Sequence, residues 1–234
     1  MYMQTQSQRD GVLQQKKLAL FLDIDGVLHS ASKSIEFQKR NFKEAEQHRI
    51  DFVDGAQDPR NFGMLQSAPQ QFLADILDRH PNVVLVISSA WRNWEGTQGR
   101  RQAVNRTQTG NCGNISDLLW LLPLLHPTLA KRIVDKTSAP DFRAPNFQHR
   151  TRLDEIRSFM HDSAIPSDWC EGWVAIDDQA QHFPSEEITP FYVQSDSTHN
   201  APAVGSELVV LVDGEVGLTS SSAQALEAAI MQAI

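Results

Sequence analysis

The sequence has few cysteines, no long apolar run and no excess of positive charge. Only two of its 234 residues are cysteines. Cys112 and Cys170 lack the spacing of a metal-binding or redox pair, so we expect free thiols in a reducing cytoplasm, with one disulfide as the alternative. No apolar run reaches membrane-spanning length, so no membrane partner is expected. The formal net charge of -8 disfavours sequence-blind nucleic-acid binding, which depends on neutralising phosphates.

The length suits one domain with insertions. Residues 1–16 are polar and rich in glutamine, and they lack the apolar core of a secretory signal. We interpret them as a flexible N-terminal tail and 17–234 as a single domain. Two stretches interrupt its pattern, a charged insertion at about 30–66 and a loop segment at about 93–115 that is rich in arginine.

Short apolar runs alternate with amphipathic stretches along the domain. The runs are nearly continuous in apolar residues, which is typical of strands covered on both faces. Strands that alternate with helices predict an α/β fold, with a central parallel sheet and helices on both faces. The predicted strands are 18–25, 83–89, 132–137, 173–178, 207–213 and, more weakly, 190–194. The predicted helices are 67–80, 114–125, 151–162 and 219–234.

The first strand ends in two aspartates, in the segment FLDIDGVL. Ligands bind beyond the carboxyl ends of parallel strands, where Asp23 and Asp25 lie, and Gly26 supplies a turn. Two such close carboxylates repel each other unless a proton or a cation separates them, and Mg²⁺ is the hard cation that suits them. One carboxylate can attack while the other transfers a proton. The alternative is a pair that only caps a turn.

Two more strands end in polar residues. WVAIDD delivers Asp177 and Asp178 to the same rim of a parallel sheet, although such a pair is also common in solvated turns. LVISSAWRN places Ser88 at a strand-to-helix turn that suits a phosphate oxygen, although serines also begin helices.

A transferred phosphoryl group also needs a fixed cation. Arg150 and Arg152, near the start of a helix, and Lys136, at another strand end, are the candidates. Each is also compatible with a basic surface position. His29 is expected to be an ordinary buried or surface histidine, or to line the mouth of the site with Ser30. No histidine spacing, that of His182 included, predicts a zinc site.

In these motifs the chain resembles the haloacid dehalogenase-like (HAD) superfamily of phosphohydrolases. FLDIDGVL is similar to its first motif, Ser88 to its second, and the pair Asp177 and Asp178 to its fourth. The third motif normally has lysine, and the best match here is Arg152. SSAWR, the helix of TRLDEI and the late GLT resemble the subgroup found in Swiss army knife RNA-repair proteins. The resemblance covers roughly 17–230 and implies a HAD-like Rossmannoid three-layer sandwich with a small cap-like insertion.

The resemblance also implies roles for the acids. Asp23 would be the nucleophile that forms an aspartyl-phosphate. Asp25 would protonate the leaving oxygen and then activate water. The ligands of Mg²⁺ would be Asp23, Asp25 through its backbone carbonyl, Asp177 and Asp178.

Other residues would hold the substrate. Ser88 would bind the phosphoryl group and Arg152 would neutralise it. The residues predicted to contact substrate beside them are Gly26, Ser89, Trp91 and Arg92. Guanidinium and indole groups suit a nucleotide or a nucleic-acid end, through pairing and stacking. The alternative is that the tryptophans belong to the core and the arginines to a solvated face.

These observations predict a cytoplasmic, Mg²⁺-dependent phosphatase, a monomer or small homo-oligomer. Its substrate would be a phosphorylated small molecule or nucleotide, or an RNA or DNA end. Two other classes stay open. A metal-dependent glycosyltransferase can use a D-x-D pair, and a non-catalytic receiver-like module can accept a phosphoryl group on such an aspartate.

Overall fold

The fold is built on one parallel sheet. The computed structural model describes residues 16–30, 65–89, 118, 121–137, 151–161, 169–184, 191–192 and 207–234. Within these ranges the strands are β1 (Lys17–Leu22), β2 (Val83–Ile87), β3 (Ile133–Lys136), β4 (Trp169–Asp177), β5 (Phe191–Tyr192) and β6 (Glu207–Leu211). Their order is β3-β2-β1-β4-β6-β5, and every neighbouring pair is parallel. The predicted α/β fold is confirmed.

Helices cover both faces of the sheet, as predicted. They are α1 (Ser67–Arg79), α2 (Pro127–Arg132), α3 (Arg152–Met160) and α4 (Ser220–Ala233) among the described residues. Apolar residues of α1, α2 and α4 share one core cluster with the sheet. Those of α3 belong to a second cluster on the opposite face. Burying an apolar stripe of each helix against a sheet that is apolar on both sides produces the three layers.

Side-chain alternation assigns each strand residue to one of these layers. In β1, Leu20 and Leu22 lie on the face that carries α1, α2 and α4, whereas Ala19 and Phe21 lie on the α3 face. Successive side chains of a strand point to opposite faces. Continued to the carboxyl ends of β1, β2 and β4, the same alternation places three polar residues on the α3 face: Asp23, Ser88 and Asp177.

Aromatic packing fixes α3 over the centre of the sheet. The ring of Phe21 lies 5.6 Å from that of Phe159 and 5.8 Å from that of Trp173, both nearly perpendicular to it. Edge-to-face pairs of this kind add to the stabilisation from burial. Phe159 is on α3, so these contacts hold the helix beside β1 and β4.

The segment before β3 differs from the prediction. A helix was expected over 114–125, but the described part of that stretch is 3₁₀ at Leu118 and at Leu122–Leu124, and the unpredicted α2 follows it. Pro123 and Pro127 explain the change, because proline is favoured in a first helical turn and breaks a helix interior. Helix α1 begins at Ser67, as predicted, and Gln66 is its N-cap.

Several expectations fall on parts of the chain that the structure does not describe. These are the predicted tail apart from residue 16, the insertion apart from residues 30, 65 and 66, the loop segment at about 93–115, and Cys112. Cys170 is a free thiol. Among the described helices, none combines the length and the apolar character needed to cross a membrane.

Candidate active site

The strand-end acids meet where the order of the strands reverses. From β1 the chain goes first to β2 on one side and later to β4 on the other, which opens a crevice at the carboxyl ends. The backbone N–H of Asp23 donates to the carbonyl of Ile176 (3.0 Å), and that of Ser88 donates to the carbonyl of Leu22 (2.9 Å). These bonds extend the sheet by one residue and bring the ends of β2, β1 and β4 side by side.

Asp23 is held in a buried, polar setting. It is 3% exposed, and its Oδ1 accepts a hydrogen bond from the Ile24 N–H at 2.7 Å. Burial, and next the charge of Asp177, raises the pKa of Asp23 to about 7, although Arg152 and a hydrogen bond from the Ser89 hydroxyl oppose the shift. Without a bound cation, the site therefore retains a proton near neutral pH.

Among the described residues, Arg152 places a guanidinium beside these acids. Its Nη2 lies 3.9 Å from Asp23 Oδ2, and its Nε lies 3.6 Å from Asp177 Oδ2. Arg152 is the first residue of α3, which Thr151 caps by accepting from the Asp154 N–H. Lys136 ends β3, two strands away from β1.

Asp177 is paired with a histidine that the sequence did not single out. His182 Nδ1 lies 3.1 Å from both carboxylate oxygens of Asp177, and the Gln179 N–H donates to Oδ1 at 2.8 Å. Three possible ligand atoms, one from each of Asp23, Asp177 and His182, lie within 4.8 Å of one another. His182 reaches the site through a 3₁₀ turn, Ala180–His182, which carries no clear signal in the hydropathy pattern.

Asp178 packs against two glycines. A Cβ added to Gly26 would lie 2.2 Å from Asp178 Oδ2, and one added to Gly214 would lie 2.3 Å from the same atom. Gly26 also has a positive φ of 71°, which glycine adopts readily. Burial, and next the charge of Asp177, raises the pKa of Asp178 to about 6. Gly26 thus has a steric role here.

The donor set fits a divalent cation. Two buried carboxylates and one imidazole converge, and Asp178 Oδ1 is buried without a hydrogen-bond partner in the described residues. Oxygen ligands with uncompensated charge are what Mg²⁺ and Mn²⁺ bind, and an imidazole suits Mn²⁺ better than Mg²⁺.

Other polar atoms at the same rim also lack hydrogen-bond partners. In the described parts of the chain, Ser88 Oγ, Thr137 Oγ1 and Arg152 Nε are buried and make no hydrogen bond. Buried polar groups are nearly always paired, so these three atoms fit a site that receives a ligand with several acceptor oxygens. Thr137 follows β3 directly and was not predicted to take part.

Asp25 begins the turn after β1. The N–H groups of Val27 and Leu28 donate to the Ile24 carbonyl, and the Leu218 N–H donates to the Val27 carbonyl at 2.8 Å. The last of these bonds explains the late GLT segment, because it ties the start of α4 to the turn that carries Asp25. The side chain of Asp25 is 27% exposed, so solvent reaches it more easily than it reaches Asp23.

The predicted site is therefore assembled in part within the described residues. Asp23, Ser89, Arg152 and Asp177 are in contact, and Asp178 lies against Gly26. Ser88 and Asp25 lie at the ends of β2 and β1 beside them. Three other predicted residues lie outside the described residues: Trp91, Arg92 and the alternative cation Arg150.

A parallel α/β sheet with strand-end aspartates and a guanidinium at its switch point is the architecture of a HAD-type hydrolase. The family model described as the HAD domain in Swiss Army Knife RNA repair proteins matches residues 19–223. The chain belongs to this family, and the resemblance found in the sequence is confirmed. Comparison with curated proteins and with solved structures gave no match.

Proposed function

We propose that this protein is a Mg²⁺-dependent phosphomonoester hydrolase that works through an aspartyl-phosphate on Asp23. The observation that carries the proposal is the setting of that carboxylate, buried at the end of β1 with Arg152 Nη2 3.9 Å from Oδ2. Phosphoryl transfer requires mainly positioning and neutralisation of charge. The family match supports a hydrolase of this type.

The chemistry divides into two displacements. In the first, a carboxylate oxygen of Asp23 attacks phosphorus, the bond to the leaving oxygen breaks, and Asp25 gives that oxygen a proton. In the second, Asp25 takes a proton from water, the water oxygen attacks phosphorus, and phosphate leaves as the Asp23 carboxylate re-forms. Arg152 and Ser88 would hold the non-bridging oxygens in both displacements.

The cation would be held by Asp23, the Asp25 carbonyl, Asp177 and Asp178. When bound, it neutralises phosphoryl charge and keeps Asp23 ionised. The grouping of ligand atoms at Asp23 and Asp177 and the unpartnered Asp178 Oδ1 support this assignment.

We further propose nucleotides and the phosphorylated ends of RNA or DNA as substrates. The family description refers to RNA-repair proteins. The sequence also concentrates arginines around Trp91 and Trp94, in a segment suited to stacking and pairing with nucleotides. The net charge of -8 fits recognition of one phosphorylated end better than general binding along a strand.

Phosphate release from a panel of substrates tests the proposal. Sugar phosphates, nucleotides and oligonucleotides phosphorylated at the 3′ or 5′ end are each incubated with Mg²⁺ or with EDTA. We expect release that requires the cation, is fastest with nucleotide or oligonucleotide substrates, and falls at least about 10³-fold in Asp23→Asn. Asp78→Asn is the matched control, because Asp78 is exposed near the C-terminal end of α1.

Reduction of the trapped acyl-phosphate with borohydride, followed by mass spectrometry, locates the phosphorylated residue. The proposal requires the label on Asp23. Full activity in Asp23→Asn would refute the mechanism. A stable phospho-Asp23 without phosphate release would indicate the receiver-like alternative, and a preference for sugar phosphates would refute the nucleotide assignment.

A further inference from the structure

A buried histidine lies beside the proposed acid–base residue. His29 is 0% exposed although it follows the first motif by only a few residues. An isolated parallel β-bridge pairs the backbones of Asp25 and His29. The turn therefore closes on itself, and the imidazole is directed back toward the Asp25 carboxylate.

Both ring nitrogens of His29 have assigned neighbours. Nδ1 lies 2.9 Å from the carbonyl oxygen of Ser30. Because a carbonyl oxygen can only accept, Nδ1 carries a hydrogen, which fixes the orientation of the ring. Nε2 lies 3.0 Å from Asp25 Oδ1. Because Nδ1 already carries a hydrogen, a hydrogen bond between these two atoms requires one further proton, on Nε2 or on the carboxyl group.

We propose that His29 is a positioning residue that sets the orientation of the Asp25 carboxylate for proton transfer. This inference depends on the proposed function, since it concerns how the acid–base residue is held. Burying an imidazole in an apolar turn between Leu28 and Ser30 is costly unless its nitrogens are paired. An apolar side chain would fill the same space without that cost, so packing alone does not explain a histidine here.

The proposed role follows from the demands of proton transfer. A general acid must lie within hydrogen-bond reach of the leaving oxygen, and a displacement of about 1 Å can reduce the rate by about 10²-fold. The Asp25 side chain is 27% exposed, so one side of it is open to solvent and does not hold it in place. The buried ring of His29, anchored at Nδ1 by the Ser30 carbonyl, supplies a neighbour with a fixed orientation for Oδ1.

Two substitutions separate the two contacts of His29. In His29→Gln, the new side-chain amide lies near the former position of Nε2 and keeps a hydrogen-bonding group beside Asp25. In His29→Asn, the shorter amide lies near the former position of Nδ1 and keeps only the contact with Ser30. We expect His29→Asn to lower kcat about 10–100-fold with KM changed less than about 3-fold, and His29→Gln to restore most of kcat.

The leaving group distinguishes positioning from general loosening. An alkyl phosphate needs a proton on its leaving oxygen, whereas p-nitrophenyl phosphate needs little assistance. We expect the kcat loss in His29→Asn to be at least about 5-fold larger for the alkyl ester. His161→Asn, the same change at the exposed C-cap of α3, is the matched control.

A double-mutant cycle and a spectrum complete the test. If His29 acts through Asp25, His29→Asn causes no further loss of kcat in an Asp25→Asn background. In the ¹⁵N NMR spectrum, the chemical shift of His29 Nε2 should change in Asp25→Asn, whereas that of Nδ1 should remain the shift of a nitrogen that carries a hydrogen. This measurement uses the histidine itself, so it applies even if the His29 variants do not fold.

Failure of this inference differs from failure of the proposed function. If wild type releases no phosphate, or Asp23→Asn remains active, the proposed function is wrong. If wild type is active but a folded His29→Asn keeps its kcat, the positioning role is wrong. The positioning role would also be refuted if the losses of kcat in the double-mutant cycle were additive, or if the Nε2 chemical shift were the same in Asp25→Asn as in wild type.

Discussion

At the scale of single residues, the site concentrates negative charge where water is scarce. Asp23 and Asp177 are 3% and 2% exposed and lie beside one guanidinium. Burial disfavours ionised carboxylates, and a nearby like charge adds to the effect. The pKa of Asp23 therefore rises from 3.8 to about 7. The folded protein binds this proton more tightly than the unfolded chain does.

This shift predicts a stability that depends on pH. Protonated Asp23 stabilises the folded state, and this contribution to the free energy of unfolding is fully present below about pH 4. It is lost as the pH rises through about 7, because the carboxyl group ionises more readily in the unfolded chain than in the folded protein. Replacing Asp23 with Asn removes the ionisation. In metal-free buffer we expect Asp23→Asn to gain free energy of unfolding relative to wild type between about pH 5 and 8, by the order of a few kcal/mol. Urea denaturation at several pH values measures this difference.

Asp78→Asn, on the exposed surface of α1, should show no such trend over the same pH range. A difference between Asp23→Asn and wild type that stays constant across that range would contradict the prediction. It would mean that Arg152 outweighs burial and keeps Asp23 ionised.

At the scale of elements, the start of α3 determines where the cation lies. Thr151 and Asp154 form a capping box, in which each side chain accepts from the other residue's backbone N–H. Such caps satisfy N–H groups that the helix leaves unpaired. Arg152 is the next residue after the cap, and Phe159 anchors the other end of the helix against Phe21. Local capping and distant aromatic packing together aim the guanidinium at Asp23.

Loss of the cap should therefore affect function as well as stability. We expect Thr151→Ala to lower the free energy of unfolding by about 1 kcal/mol. Because the first turn that carries Arg152 frays, we also expect KM for a phosphate ester to rise about 3–10-fold. Thermal unfolding and steady-state kinetics measure the two effects.

Helix α4 provides a matched control, because Thr219 and Ser222 form the same kind of capping box. Thr219→Ala should lose a similar amount of stability with a smaller change in KM. Equal changes in KM for the two variants would show that general loosening, not the placement of Arg152, is responsible.

At the scale of the whole molecule, a cation should join separate parts of the fold. Its proposed ligands come from the end of β1 with the turn after it and from the end of β4, and His182 offers a further ligand atom beside them. A ligand that binds only the folded state stabilises it by about 2.7 kcal/mol at a concentration of about 100 Kd. The effect should appear as a rise in Tm.

We expect Mg²⁺ and Mn²⁺ to raise the Tm of wild type and to have little effect on Asp177→Asn. Imidazole suits Mn²⁺ better than Mg²⁺. In His182→Gln the affinity for Mn²⁺ should therefore fall more than that for Mg²⁺. Calorimetric titration measures both. Equal losses would instead indicate that His182 acts through its contact with Asp177.

Much of the architecture was predictable because its signals are local. Continuous apolar runs predicted the parallel strands, and the polar residues at the ends of these runs predicted Asp23, Ser88 and Asp177 at one rim. Contacts made through short turns were not predictable. The sequence gives no sign that His182 turns back to Asp177, that His29 faces Asp25, or that Gly214 makes room for Asp178. These contacts depend on backbone geometry that only the folded chain has.

The order of the strands has a consequence for biosynthesis. Strand β1 is made first, but its neighbour on one side is β4, and the chain reaches Trp169–Asp177 only after most of the domain has left the ribosome. Until then the nascent chain carries β1 with one edge unpaired, and unpaired edges of apolar strands promote aggregation. Truncated chains that stop before Trp169 should therefore need chaperones to remain in solution, whereas chains that extend past β4 should not.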